Sequence, residues 1–174
     1  MKKPFVYGEL AEKENFVDRA DDRKRLKTFL ANGINVMLIS PRRWGKSSLV
    51  RQSMEELKEE NSLVRVCYID AFSITSTSDF LNAFASAVIE GTSSTIEKRF
   101  EDIKKFIHVI TPSVTIKDSV NNSFSLDLKI RPIEHNAQEI LRLPETIAQA
   151  KGLQVIVCID EFQQLATLPE WKSL

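Results

Sequence analysis

The densest chemistry in the sequence lies in Ser40-Pro41-Arg42-Arg43-Trp44-Gly45-Lys46-Ser47-Ser48. This segment stands between an apolar run, Ile34-Asn35-Val36-Met37-Leu38-Ile39, and a stretch with Leu49, Val50, Met54 and Leu57 on one helical face. A loop joining a strand to a helix turns backbone N–H groups and the positive helix end toward an anion. Gly45 lets the backbone approach phosphate closely, Lys46 can reach terminal phosphates, and the Ser47 hydroxyl can ligate Mg²⁺. A glycine is usual at the first position of such a loop, and Ser40 in its place restricts the turn. Arg42 and Arg43 could each contact phosphate or form a surface ion pair. Trp44 could cover a nucleotide, with packing against the adjacent helix the favoured reading.

A second chemical signal is Val155-Ile156-Val157-Cys158-Ile159-Asp160-Glu161, an apolar strand that ends in two acids. Taken alone, these could be solvated carboxylates at a strand end. Downstream of a phosphate loop they read differently: Asp160 holds the Mg²⁺ shell through water, and Glu161 polarises the attacking water as general base. One lysine, one hydroxyl, one metal-binding carboxylate and one base make a phosphoryl-transfer set.

The elements that must position these groups follow from periodicity. Asp21 to Asn32 reads as a helix with acids in its first turn and Gly33 as its stop. A strand over 34–39 and a helix from Lys46 to Glu60 bracket the phosphate loop. A strand from Leu63 to Ile69 follows, then a helix from Asp79 to Glu90 opened by Ser78, and another from Ile96 to Ile110. Asn136 and Glu139 form a capping pair for the next helix, Pro144 restarts it, and Gly152 ends it before the strand Leu153 to Ile159. Such alternation marks an α/β protein with a parallel sheet. Asp70 ends the second strand at the edge shared with the phosphate loop, where loop capping is its expected role.

One segment breaks the alternation. Apolar residues recur at even positions in Val114–Asp118 and Phe124–Ile130, around Asn121-Asn122. That pattern predicts an inserted β-hairpin over 113–131, either capping the core or offering a protein contact.

Composition excludes several classes. The chain has 174 residues, 24 basic and 24 acidic side chains, and formal net charge zero, so it lacks the basic surplus of a dedicated nucleic-acid binder. Its basic runs, Arg23-Lys24-Arg25 and Lys104-Lys105, sit on helix faces among acids. With 43% hydrophobic residues it can bury a core as a single domain. No apolar run of about 18 residues and no leader-like stretch occurs, so a cytoplasmic protein without membrane contact is expected. Cys67 and Cys158 lie in apolar runs, which suggests buried thiols in a reducing compartment. His108 and His135 have no Cys or carboxylate at metal-ligand spacing.

Phe16-Val17-Asp18-Arg19, the helix after it, Pro41 to Leu49, and Ile159-Asp160-Glu161-Phe162 together resemble the archaeal-type family of AAA-like P-loop ATPases, which also occurs widely in bacteria. The similarity spans nearly the whole chain, and Pro-Arg-Arg-x-Gly-Lys is its most specific part. The resemblance implies a three-layer α/β/α P-loop NTPase fold that binds ATP and Mg²⁺. It places Lys46 on phosphate within the loop Pro41 to Ser48, Ser47 and Asp160 on the metal, and Glu161 as catalytic base. Phe16, Val17 and Arg19 would lie by the adenine, Phe16 being alternatively a core anchor.

In proteins of this kind, a later strand with a polar sensor residue fits between the phosphate-loop strand and the acidic strand, and a helical lid follows. Leu174 comes just past the acidic strand, so the expectation is the N-terminal portion of a longer ATPase, with an unfilled slot or a partner in its sheet. The expected function is a Mg²⁺-dependent ATPase core driving a conformational switch or motor. This chain alone should hydrolyse weakly, without positioning groups or a neighbour's arginine finger. The alternative is a protein-binding module in which nucleotide is structural or the loop inactive, a reading that Ser40 favours. Expected partners are ATP, a C-terminal lid or effector domain, and a second copy or another protein; direct DNA binding is not favoured.

Overall fold

A computed structural model describes residues 19–41, 44–95, 98, 102, 105–106 and 137–168. The chain divides into two compact units, Met1–Val64 and Arg65–Leu174.

In the first unit, α1 (Ala20–Ala31) carries Asp21 and Asp22 in its first turn, where the helix dipole favours negative charge. It stops as the sequence predicts. Gly33 takes φ 71°, and the N–H groups of Gly33 and Ile34 donate to the carbonyls of Leu30 and Phe29, each at 3.0 Å. That pair of bonds satisfies two of the carbonyls a helix end leaves open. α2 (Lys46–Glu60) packs on α1, with Leu26 of α1 and Leu49, Met54 and Leu57 of α2 buried.

Charges fasten the two helices. Lys27 donates to Glu56 at 2.9 Å and to Glu60 at 2.6 Å, and Arg23 lies 3.4 Å from Glu56. The hydrogen bonds to Glu60 and Glu56 raise the Lys27 pKa. Burial alone would raise the Glu56 carboxyl, but the hydrogen bonds from Lys27 and Gln52 and the charges of Lys27 and Arg23 outweigh it and hold Glu56 below its ordinary value.

The run Ile34–Ile39 departs from expectation. It forms no strand, and Ile34, Met37 and Ile39 are 49%, 71% and 87% exposed. A strand exists only through a ladder with a neighbour, and the sheet among the described residues consists of two other strands.

In those, β1 (Val64–Asp70) and β2 (Gln154–Asp160) lie side by side and parallel. The crossover between them runs through α3 (Thr77–Thr92), α4 (Ala137–Leu141) and α5 (Leu143–Lys151). Side chains alternate along both strands. Cys67 and Ile69 of β1 join a core with Phe80, Phe84 and Val88 of α3 and Ile147 of α5, and Val155, Val157 and Ile159 of β2 pack against it. Cys158, offset by one, belongs to the other face. Burial pushes the Cys67 thiol up to about 12 and the Cys158 thiol to about 11, and both are free.

Element ends follow local chemistry. α3 opens two residues before the expected serine: Ser76, not Ser78, accepts from the Asp79 N–H at 3.1 Å. Hydrogen bonds from Thr75 and Ser76 hold the Asp79 carboxyl below its ordinary value. Pro144 sits in the first turn of α5, and Gly152 closes that helix at φ 63°. Past α3, the Ser93 hydroxyl and the Lys151 ammonium both donate to the buried Asp102 carboxylate, and Lys151 also reaches the Thr92 carbonyl at 3.2 Å. Of the helix expected over 96–110, residues 98, 102, 105 and 106 are described, and all are helical. The hairpin over 113–131, His108, His135, Lys104 and Asn136 lie outside the described residues. Among those described, no helix is long and apolar enough to cross a membrane.

Two outcomes test this packing. A Cβ on Gly91 would lie 2.6 Å from the Cys67 Sγ and 3.0 Å from the Val66 carbonyl oxygen. Gly91→Ala is therefore expected to lower the melting temperature, by about 1–3 kcal/mol in stability, and Cys67→Ala in the same chain should recover part of the loss. The Glu56 carboxyl is depressed on folding, so its contribution is present above the unfolded pKa and lost as pH falls through the folded one. Urea midpoints from pH 6 to pH 3 should fall more steeply for the parent than for Glu56→Gln.

Candidate functional site

The N-terminus of α2 is built on one backbone conformation. Gly45 precedes the helix at φ 70°, ψ 28°, in the left-handed region. A Cβ there would meet nothing within 4 Å, so the demand for glycine is conformational and not steric crowding. The Leu49 N–H donates to the Gly45 carbonyl at 2.9 Å and closes the first turn. No side chain caps the helix, and its first turn holds no acid. The Gly45 and Lys46 N–H groups have no hydrogen-bond partner among the described residues. Unsatisfied N–H groups at a positive helix end form an anion-binding arrangement.

Two cations brace the loop through its carbonyls. The Lys46 ammonium donates to the Ser40 carbonyl at 3.1 Å. Arg19 donates through Nη1 to the Trp44 carbonyl at 2.9 Å and through Nε to Asp22 at 2.8 Å. Ser40 is no obstacle to this geometry: among the described residues, Glu161 alone of the non-glycines has positive φ, so Ser40 lies outside the left-handed region. The Ser40 hydroxyl itself is buried without a hydrogen-bond partner. Trp44 differs from the favoured expectation. Its ring is 65% exposed and is not packed away against the helix. Pro41 is exposed, and Ser47 and Ser48 follow Lys46 in the first turn of α2, with Ser48 buried. Arg42, Arg43, Phe16 and Val17 lie outside the described residues.

The second unit holds the acids. Asp160 ends β2 and accepts the Glu161 N–H on Oδ1 at 2.9 Å. Glu161 then takes φ 52°, ψ 37° and starts the 3-10 turn Phe162–Thr167, its carbonyl accepting the Gln164 N–H at 2.8 Å. A left-handed residue with a side chain costs on the order of 1–2 kcal/mol, and here the bonds at the Glu161 N–H and carbonyl hold it in place. Its carboxylate accepts from the Gln163 amide. The neighbouring strand ends alike: Asp70 accepts the Phe72 N–H at 2.9 Å and caps the turn Ala71–Ser73, the expected loop-capping role.

The structure thus gathers Arg19, Ser40, Trp44, Gly45 and Lys46 in the first unit, and Asp160, Glu161 and Gln163 in the second. Gln163 was not legible in the sequence, because nothing in its spacing from Glu161 distinguishes it from a solvated amide. A pattern describing an ATPase domain predominantly from Archaea matches residues 16–174. The chain belongs to that family of ATPase domains. No curated protein and no solved structure matches it. In this ATPase domain, the matched span holds both the uncapped helix end and the strained acidic strand end.

The strain at Glu161 gives a measurable outcome. Glu161→Gly removes a side chain from a left-handed position, so the relief offsets the glycine entropy cost of about 0.5–1 kcal/mol. Its melting temperature should equal or exceed the parent's, whereas Glu161→Gln should gain nothing. A Glu161→Gly chain that melts well below the parent would show that the left-handed geometry carries no strain.

Proposed function

We propose that this chain is an ATP-binding, Mg²⁺-dependent ATPase core of the P-loop, three-layer α/β/α type, whose nucleotide state drives a conformational switch or motor. The observation that carries the reading is the helix end at Gly45 and Lys46: an uncapped dipole, two N–H groups without partners among the described residues, and a left-handed glycine in a chain of ATPase family. Phosphate is among the anions that such a cradle accepts.

In this reading Lys46 leaves the Ser40 carbonyl and pairs with the terminal phosphates, a short move for a four-carbon stem. Arg42 and Arg43 would add positive charge to the loop, and Phe16 and Val17 would serve the adenine. Ser47 and Asp160 would hold Mg²⁺, Asp160 through water. Their hydroxyl and carboxylate oxygens are the hard donors this cation takes, and because Mg²⁺ keeps waters and phosphate oxygens as ligands, no cage of protein carboxylates is required. When bound, the metal supplies charge neutralisation on the phosphates. Glu161 would accept the proton of the attacking water on Oε1, the Gln163 amide bonding Oε2.

Calorimetry with ATP and Mg²⁺ tests the reading. The parent should bind, and Lys46→Ala should weaken binding at least about tenfold, the loss of one charge-assisted contact, without lowering the melting temperature. A folded parent that takes up no ATP would overturn it.

A further inference from the structure

We infer that Arg19 is a positioning residue of the phosphate loop, setting which way the Trp44–Gly45 peptide faces, and does not act on the adenine. This rests on the nucleotide-binding reading above.

Gly45 permits the loop conformation without selecting it. Glycine visits positive and negative φ about equally, so the residue that makes the left-handed conformation possible does not make it preferred. Something outside Gly45 must choose. The peptide linking Trp44 to Gly45 is trans, as are all described peptide bonds, and in a trans peptide the C=O and the following N–H point to opposite sides. Arg19 holds the Trp44 carbonyl at 2.9 Å. The Gly45 N–H is thereby aimed away from the guanidinium, and it has no hydrogen-bond partner among the described residues.

Turning this peptide over would reverse both ends at once. The carbonyl would leave Arg19 and face the region where an anion meets the helix end, so an oxygen with negative partial charge would oppose phosphate where a donor had stood. The Arg19–Trp44 bond therefore acts on affinity through peptide orientation, with no contact between Arg19 and ligand needed. Asp22 contributes by bracing the guanidinium through Nε at 2.8 Å, which leaves Nη1 fixed on the carbonyl. Holding two acceptors along different edges is a property of the planar arginine fork that a lysine ammonium does not reproduce.

The test compares MgATP with inorganic tripolyphosphate, which has no base, on the full chain by calorimetry. Arg19→Ala should weaken both ligands by the same factor, about tenfold for the loss of one well-aimed donor to an anion, and Arg19→Lys should recover only part of it. In the parent, the Gly45 amide resonance should shift on adding tripolyphosphate, and the shift should shrink in Arg19→Ala. If Arg19→Ala does not fold, Arg19→Lys and Asp22→Asn carry the same two-ligand comparison. A loss confined to ATP would place Arg19 at the base and overturn the inference. A lowered melting temperature with both affinities unchanged would reduce Arg19 to a helix anchor and also overturn it. A parent that binds neither ligand would defeat the nucleotide reading and this inference together, whereas a binding parent with an indifferent Arg19→Ala defeats this inference alone.

Discussion

The structure around the loop before α2 depends on one constraint: α2 begins without a side-chain cap. A helix end normally finds a serine, threonine or aspartate to satisfy its first N–H groups. Here the position belongs to Gly45, which has no side chain to offer and is turned to a left-handed φ. The electrostatic demand of the helix end is left outstanding among the described residues. The neighbouring side chains respect that arrangement. Arg19 and Lys46 bind loop carbonyls, which point their charge at oxygens and leave the donors alone.

The acidic strand end works by the opposite device. At Gly45 the unusual backbone is adopted by the residue that tolerates it. At Glu161 it is imposed on a residue that does not, with Asp160 holding the N–H and the Gln164 bond holding the carbonyl. Tolerance at one and imposition at the other are distinct signatures. The costly conformation falls on the glutamate that follows the strand-ending aspartate, held from both sides of the residue by its neighbours' bonds. Asp70 and Asp160 show that a strand-ending aspartate is by itself ambiguous, since both bond the backbone of the turn that follows them.

Helix boundaries were the most legible part of the fold because local chemistry decides them. The Gly33 stop, the α2 limits and the Gly152 stop follow from residues whose backbone preferences are strong. α3 starts two residues ahead of the sequence expectation because Ser76 and Ser78 offer the same hydroxyl, and only the backbone geometry selects Ser76. The strand over 34–39 failed for a different reason. Apolar, β-branched residues show that a segment suits a ladder, but a ladder also needs a second strand, which no local pattern contains. The residue types at Gly45 and Lys46, and at Asp160 and Glu161, stand out in the sequence, while the contacts of Arg19 and Gln163 do not. Those contacts join residues whose chemistry is common and whose meaning comes only from what the fold sets beside them.

The exposed run at Ile34–Ile39 has a consequence for handling the protein. It is a window of six residues with five apolar side chains and neither a charge nor a proline. Segments of that kind stack readily into intermolecular β-structure when they are displayed. Nothing on the segment itself acts as a gatekeeper until Pro41 and the two arginines after it. Loss of soluble material should therefore begin here, by self-association of this window, at concentrations and temperatures where α1, α2 and the core beside β1 are still intact.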